Sequence, residues 1–421
     1  MITGRDIVFI SSIEWEFVWQ GHQEIASRLA QAGNRVLYVE NTGVRAPGIA
    51  DAGRISERLK NWIRALRSGG VLQVAPNLYV SSPLVLPPFG SRWQRQINRR
   101  FFLPLVRRTL RTLGMRDLLI WTYLPTDTAL DLIQLLRTPK KTTVVYYCIA
   151  DFAQLTNRVR QVRASEQSLI ESSDLIFAQE PELATHCRQW SDRVHIFPFG
   201  VNLDKFPVDD AQAAALSEDQ NSADDIALIS SLPRPLIGYV GGIHRHVDFG
   251  LLIEMARARP KWSWVFVGPL QTPVGELREL PNVYLLGQKS HDSLFRYLRA
   301  FDVCIVPYVN SVYTATVVPT KINEYLAVGK PVVSTSLPAV CEFNDTHRIL
   351  QTASNDPNDF LLAIERVLRS PADGATIARR REVASLGSWD TRLEEMCELI
   401  EGELGMAASN KMVAAEARVS A

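Results

Sequence analysis

Short apolar runs, five to nine residues long and rich in β-branched or aromatic side chains, recur along the chain with helical patterns between most of them. That alternation is the signature of parallel βα units, whose sheets must be covered by helices on both faces. The first series runs through 6–10, 35–40, 78–86, 118–124, 142–149, 174–179 and 194–199, with helical stretches such as 20–32, 92–113, 127–137 and 162–172. Residues 207–232 interrupt it: they are acidic, Ala-rich and without strand character. The pattern then restarts at 235–242, 262–268, 282–287, 302–308, 330–336 and 347–352. At 421 residues the chain exceeds one ordinary core. The expectation is therefore two doubly wound Rossmann-like α/β domains, 1–206 and 233–386, joined by a linker at 207–232. A helix and small-residue tail at 387–421 should pack back on the first domain. Ligands of such open sheets bind outside the carboxyl ends of the strands, here in a cleft that the two domains share.

Five scattered cysteines with no CxxC pair argue for free thiols in a reducing compartment and against a zinc ribbon. The N-terminus shows no signal-peptide pattern, and no run approaches the ~18 apolar residues that span a bilayer. The expected location is the cytoplasm, with contact to the inner face of the cell membrane in prospect. That prospect rests on charge. Residues 45–116 hold thirteen Arg and one Lys against Asp51 and Glu57, a surplus of twelve that leaves −11 for the rest of a chain of net +1. Segment 54–70 sets Ile55, Leu59, Trp62, Ile63 and Leu66 on one face and cations on the other. Segment 92–114 repeats the mixture, with eight Arg between Arg92 and Arg116. Basic amphipathic helices carrying Trp and Phe can lie on an anionic membrane through residues 54–116. The plain alternative is that both apolar faces pack on the sheet. No nucleic-acid-binding module is present.

The segment 319–334, PTKINEYLAVGKPVVS, places a cation where a helix prefers an anion. Pro319 suits a first helical position and Gly329 the residue just past the end, and Ile322, Tyr325 and Leu326 form a buried stripe. Lys321 in the first turn opposes the helix dipole, and Lys before Glu324 is the less favourable order. An anion held there by free backbone N–H groups and by Lys321 would relieve the conflict. Glu324, one turn on, can accept both hydroxyls of a ribose. An ordinary solvated Lys and Glu is the alternative. Three companions weigh against it. GYVGGIHRHVDFGLL (238–252) is a strand, a turn at Gly241 and Gly242, then a basic cluster in which Arg245 can clamp a phosphate. FVGP places Gly268 at a strand end, and Leu286–Gln288 offers backbone for a flat base. HIFPFGVNLDKF (195–206) closes the first half.

In order and kind, these pieces resemble the donor domain of GT-B-fold glycosyltransferases, in particular the retaining "glycosyl transferases group 1" enzymes (family 4-like). The likeness covers nearly the whole chain and is strongest from Leu236 to about Val340. It implies a transferase that takes a sugar, of the hexosyl type, from a nucleotide-diphosphate donor to a saccharide or lipid-linked acceptor, in cell-surface polysaccharide or glycolipid synthesis. It further implies that Arg245 and Lys321 hold the diphosphate, that Glu324 holds the ribose and that anomeric configuration is retained. The family often has a second glutamate eight positions before Glu324; here that place is Thr316, in a loop beside the transferred sugar. No metal is expected: a cationic pair can stabilise the leaving diphosphate, and no D-x-D cluster stands beside these loops. Asp209–Asp210 and Asp224–Asp225 read as solvated charge. In the first half, Asp151 ends a strand, where a catalytic residue or a helix N-cap belongs. SSIEWEFVWQGHQ (11–23) offers Glu14, Trp15, Trp19, Gly21 and His22 to a sugar acceptor, against a packed Trp pair on a helix and a surface histidine. Two alternatives from other classes are a nucleotide-sugar epimerase and a non-catalytic binder of nucleotide sugar or membrane.

Overall fold

The computed structural model describes residues 1–16, 19–40, 71–83, 85–86, 88–89, 91–138, 142–207, 220–315, 319–370 and 372–419. The basic segment 54–70, Thr316 and Asp209–Asp210 lie outside them. The chain divides into two compact units, one of residues 1–198 with 392–421 and one of residues 199–391.

The first unit is built on eight strands: β1 (Asp6–Ile10), β2 (Arg35–Val39), β3 (Leu72–Ala75), β4 (Leu78–Ser81), β5 (Leu119–Thr122), β6 (Thr143–Cys148), β7 (Leu175–Ala178) and β8 (Val194–Ile196). They lie in the order β3-β4-β2-β1-β5-β6-β7-β8, and every pairing is parallel except β3 with β4. The run expected as one strand over 78–86 stops at Ser81, and the strand before it, β3, makes a hairpin through Asn77, whose φ is +62°. Pro76 marks that turn, and β3 is an exposed edge strand without the alternation that would announce it. The central strands β1, β5, β6 and β7 are buried along their whole length, as apolar runs in a sheet covered on both faces must be.

Helix 92–112 is one rod with a π turn at Asn98–Phe102. The cause of that turn is visible. The Asn98 amide is buried, accepts from Leu86 N at 2.8 Å and donates to Leu86 O at 3.0 Å, so the helix widens where its side chain pins a loop. Arg95 makes a two-pronged ion pair with the buried Asp131 at 2.7 and 2.8 Å, which fastens the rod to the next helix. The C-terminal helix begins at Trp389 and continues to Val419, through the stretch expected as a small-residue tail. Leu393, Met396, Cys397 and Ile400 are all buried, and the part from Arg392 onward belongs to the first unit.

The second unit holds six parallel strands: β9 (Leu236–Val240), β10 (Ser263–Val267), β11 (Val283–Leu285), β12 (Val303–Val306), β13 (Val332–Thr335) and β14 (Gln351–Ala353). Their order is β11-β10-β9-β12-β13-β14. Each unit is thus a Rossmann-like doubly wound sheet. In each, the winding reverses beside the first strand: between β1 and β5, and between β9 and β12. Those switch points open a crevice at the carboxyl ends of the strands.

Candidate active site

The second unit's switch point is closed by backbone that tolerates no extra atoms. β9 exits into Gly241, whose φ is +142°, and a Cβ there would stand 2.8 Å from Lys321 Cε and 3.3 Å from Nζ. β10 exits into Gly268, φ +149°, where a Cβ would lie 2.0 Å from the Gly241 carbonyl oxygen. Glycine at both places lets two strand exits and a lysine share the crevice. Lys321 is brought there by its helix, Lys321–Ala327, which begins one residue after Thr320. Pro319 precedes that cap and is not the first helical residue; Thr320 is already in the helical region and offers no side-chain cap, so the start shifts past it. The anchor is Tyr325, which accepts from Val240 N at 2.9 Å and donates to Val240 O at 3.1 Å.

Lys321 Nζ donates to the Tyr308 hydroxyl at 2.5 Å and stands 5.0 Å and 5.4 Å from the ring centroids of Tyr308 and Tyr239. Two π faces and a phenol hold the ammonium, and among the described residues no carboxylate pairs with it. The positive charge is therefore available to an anion. Glu324 is half-buried one turn further on.

The loop from Gly241 to Asp248 is stitched on two sides. Ile243 N donates to Pro269 O and Gln271 N to Ile243 O, each at 2.9 Å, while Asp248 N donates to Pro307 O at 2.8 Å and Val309 N to His246 O at 2.9 Å. Asp248 caps helix Phe249–Ala258 through Leu251 N at 3.0 Å and accepts from Asn355 at 2.8 Å. Arg245 is exposed on this rigid loop, its Nε 3.5 Å from His246 Nε2. His244 is half-buried with its ring 5.4 Å from those of Tyr308 and His246. Burial first, then the charge of Lys321, lowers its pKa to about 4. On the far side, Leu286 N is spent on Phe266 O at 2.9 Å and Gly287 O accepts from Gly268 N at 2.8 Å. Exposed Gln288 follows at the exit of β11.

At the first unit's switch point the loop after β1 is also well fastened. Trp15 N donates to Glu40 at 2.8 Å, and the Trp15 ring packs edge-on against Tyr38 at 5.1 Å and Trp19 at 5.7 Å. The tryptophans meet ahead of the helix, which starts only at the buried Gly21. Trp19 Nε1 donates to Glu24 at 2.7 Å, and the Glu14 carbonyl accepts from Gln23 at 3.4 Å. His22 is fully buried, not superficial: its ring lies 3.9 Å from that of Tyr123 and its Nε2 2.9 Å from Ser12 Oγ. Burial lowers its pKa to about 3. Asp151 caps Phe152–Leu155 through Ala153 N at 3.1 Å, and its second oxygen accepts from Arg163 at 2.7 Å and Gln154 at 3.3 Å.

The fold thus gathers Gly241, Gly242, Arg245, Gly268, Lys321 and Glu324 around one crevice. It adds Tyr239 and Tyr308, which spacing does not single out, and makes Tyr325 of the expected buried stripe the anchor to Val240. Tyr308 lies in an apolar run with the period of a strand, and only the β9/β12 adjacency sets it against Lys321.

Residues 234–370 match the family described as Glycosyl transferases group 1. This segment is a domain of that family. The Bacillus subtilis (strain 168) protein TuaH, which carries the name of a teichuronic acid biosynthesis glycosyltransferase, is 28% identical over 241 residues, 55% of this chain. The chain spans 58% of that relative's length. Among solved structures, sucrose-phosphate synthase from Thermosynechococcus elongatus is similar with a TM-score of 0.69 at 17% identity, covering 96% of this chain and all of the other. Anabaena HepE in complex with UDP and glucose gives a TM-score of 0.64 at 15% identity, covering 94% and 99% of the two chains. Both likenesses are of the fold: the Rossmann-like units described above match those of the solved proteins.

Proposed function

We propose that the protein moves a sugar from a nucleotide-diphosphate donor to a saccharide or lipid-linked acceptor in the assembly of a cell-surface polysaccharide or glycolipid. The observation that carries this reading is the Lys321 ammonium, without a carboxylate partner among the described residues and wedged against Gly241 at the β9/β12 switch. When the bond between the sugar and the diphosphate breaks, negative charge grows on the departing phosphate. Lys321 and Arg245 are preorganised cations for that charge, and Glu324 accepts the ribose hydroxyls. The TuaH name supports the polysaccharide setting, and the UDP and glucose held by HepE support the donor class. Asp151, which caps Phe152–Leu155 and pairs with Arg163, stays in the proposal as a candidate on the acceptor side. Retention of configuration and metal independence belong to the proposal: product NMR should show the donor's anomer, and EDTA should leave the rate unchanged.

The membrane reading also belongs here. On helix 92–112, Trp93, Phe101 and Leu105 are 61%, 63% and 50% exposed, in line with half-buried Ile97 at four-residue steps. The π turn offsets the drift that such spacing has on a regular helix. Arg92, Arg100, Arg107, Arg108 and Arg111 stand exposed around the stripe, which suits the anionic inner face of a cell membrane. Among the described residues no helix is long and apolar enough to cross a membrane.

A thermal-shift panel of UDP, GDP, ADP and dTDP tests the donor site. One of them is expected to stabilise the wild type, and Glu324→Ala to reduce that shift. No shift with any nucleotide overturns the donor site, and an undiminished shift in Glu324→Ala overturns the ribose assignment.

A further inference from the structure

We propose that His244 is a third, uncharged member of the diphosphate cradle, whose Nε2–H donates a hydrogen bond to a phosphoryl oxygen beside Lys321. The inference rests on the donor-site reading above and adds a residue to it. The decisive contact is within the loop. The backbone N–H of His246 points at His244 Nδ1 at 3.2 Å, and an N–H can only donate, so Nδ1 is the bare nitrogen of the ring. A neutral imidazole then carries its proton on Nε2. Among the described residues Nε2 has no hydrogen-bond partner, although the ring is half-buried and fixed by its neighbours.

Every charged group near the ring favours the neutral form. Lys321 comes from the helix that follows the switch, and Arg245 and His246 come from the same loop; all three lower the ring's proton affinity, on top of burial. The phenol of Tyr308, which faces the ring from the β12 exit, is occupied by Lys321 Nζ. The result is a rigid N–H donor, on a loop held at both ends, next to an ammonium that no carboxylate among the described residues pairs with. This arrangement adds a directional contact to a diphosphate without a further cation to desolvate. It discriminates by geometry, whereas Lys321 acts as a point charge.

The test is calorimetry of UDP, GDP, ADP and dTDP binding to the full chain, with wild type, His244→Phe, His244→Gln and Lys321→Ala. Phe keeps the packing against Tyr308 and removes the donor; Gln keeps a side-chain N–H. The expected result is about tenfold or greater weakening in His244→Phe, the loss typical of one hydrogen bond to a charged group, with His244→Gln within about threefold of wild type. Nitrogen NMR of the ligand-free protein should also show Nδ1 unprotonated and Nε2 protonated from pH 5.5 to 8. Wild-type affinity in His244→Phe, or a proton on Nδ1, overturns the inference while Lys321→Ala still reports on the donor site. If none of the four nucleotides binds the wild type, both readings fall.

Discussion

Glu180 shows how far burial can take a single side chain. It follows β7, caps helix Pro181–Cys187 with its backbone, and is wholly buried, with neither carboxyl oxygen hydrogen-bonded among the described residues. Burial, with a smaller push from Glu182, raises its pKa to about 9. An acid whose folded pKa lies above its unfolded value contributes stability that is complete below the unfolded pKa, near 4.5, and is lost as pH rises toward 9. The slope is about 1.4 kcal/mol per pH unit. Glu180→Gln keeps the shape and abolishes the titration. The stability of the variant relative to wild type should therefore rise by about 4 kcal/mol between pH 5 and pH 8, as measured by denaturant unfolding; a difference that does not change with pH would refute the assignment. His22 runs the other way. Its depressed pKa of about 3 gives stability that is full above its ordinary 6.5 and is lost as pH falls below it.

At the scale of elements, each expected strand has an observed counterpart; β3 is additional, β4 stops early at Ser81, and β14 starts only at Gln351 because His347 still ends a helix. Buried parallel strands need continuous apolar runs, and such runs are visible in one dimension. Turn geometry is less so: the hairpin at Asn77 and the π turn at Asn98 depend on a backbone angle and a distant loop. The exits of β9 and β10 carry the sharpest constraint. Gly268→Ala should cost roughly 3 kcal/mol or more, because backbone meets Cβ and φ is in the left-handed half. It should also weaken nucleotide binding by moving Gly241 away from Lys321. Gly275→Ala is the control: φ is +55° there but nothing lies within 4 Å, so only ~1–2 kcal/mol of backbone strain is expected. Equal melting temperatures for the two variants would show that the crowded exit is not rigid.

For the whole molecule, the exposed stripe on helix 92–112 gives the testable consequence. The protein should float with liposomes containing anionic lipid and should remain behind with neutral ones. Replacing Trp93 and Phe101 by Ser, or Arg100, Arg107 and Arg108 by Glu, should each abolish flotation, since apolar insertion and charge both contribute. Flotation unaffected by these changes, or equal on neutral lipid, would remove the membrane from the proposal.

The sequence by itself determined the architecture, because parallel strands buried on both faces and separated by helices cannot hide their apolar runs. It also singled out Lys321, Glu324, Arg245 and the glycines, whose types conflict with ordinary helix electrostatics or mark tight backbone. Tertiary structure decided the rest. Strand order set Tyr308 and Tyr239 under Lys321, loop stitching chose the His244 tautomer, and packing turned His22 and Glu180 into neutral buried groups. Each of these depends on atoms distant in the chain, and burial and hydrogen-bond geometry exist only once the sheets are assembled.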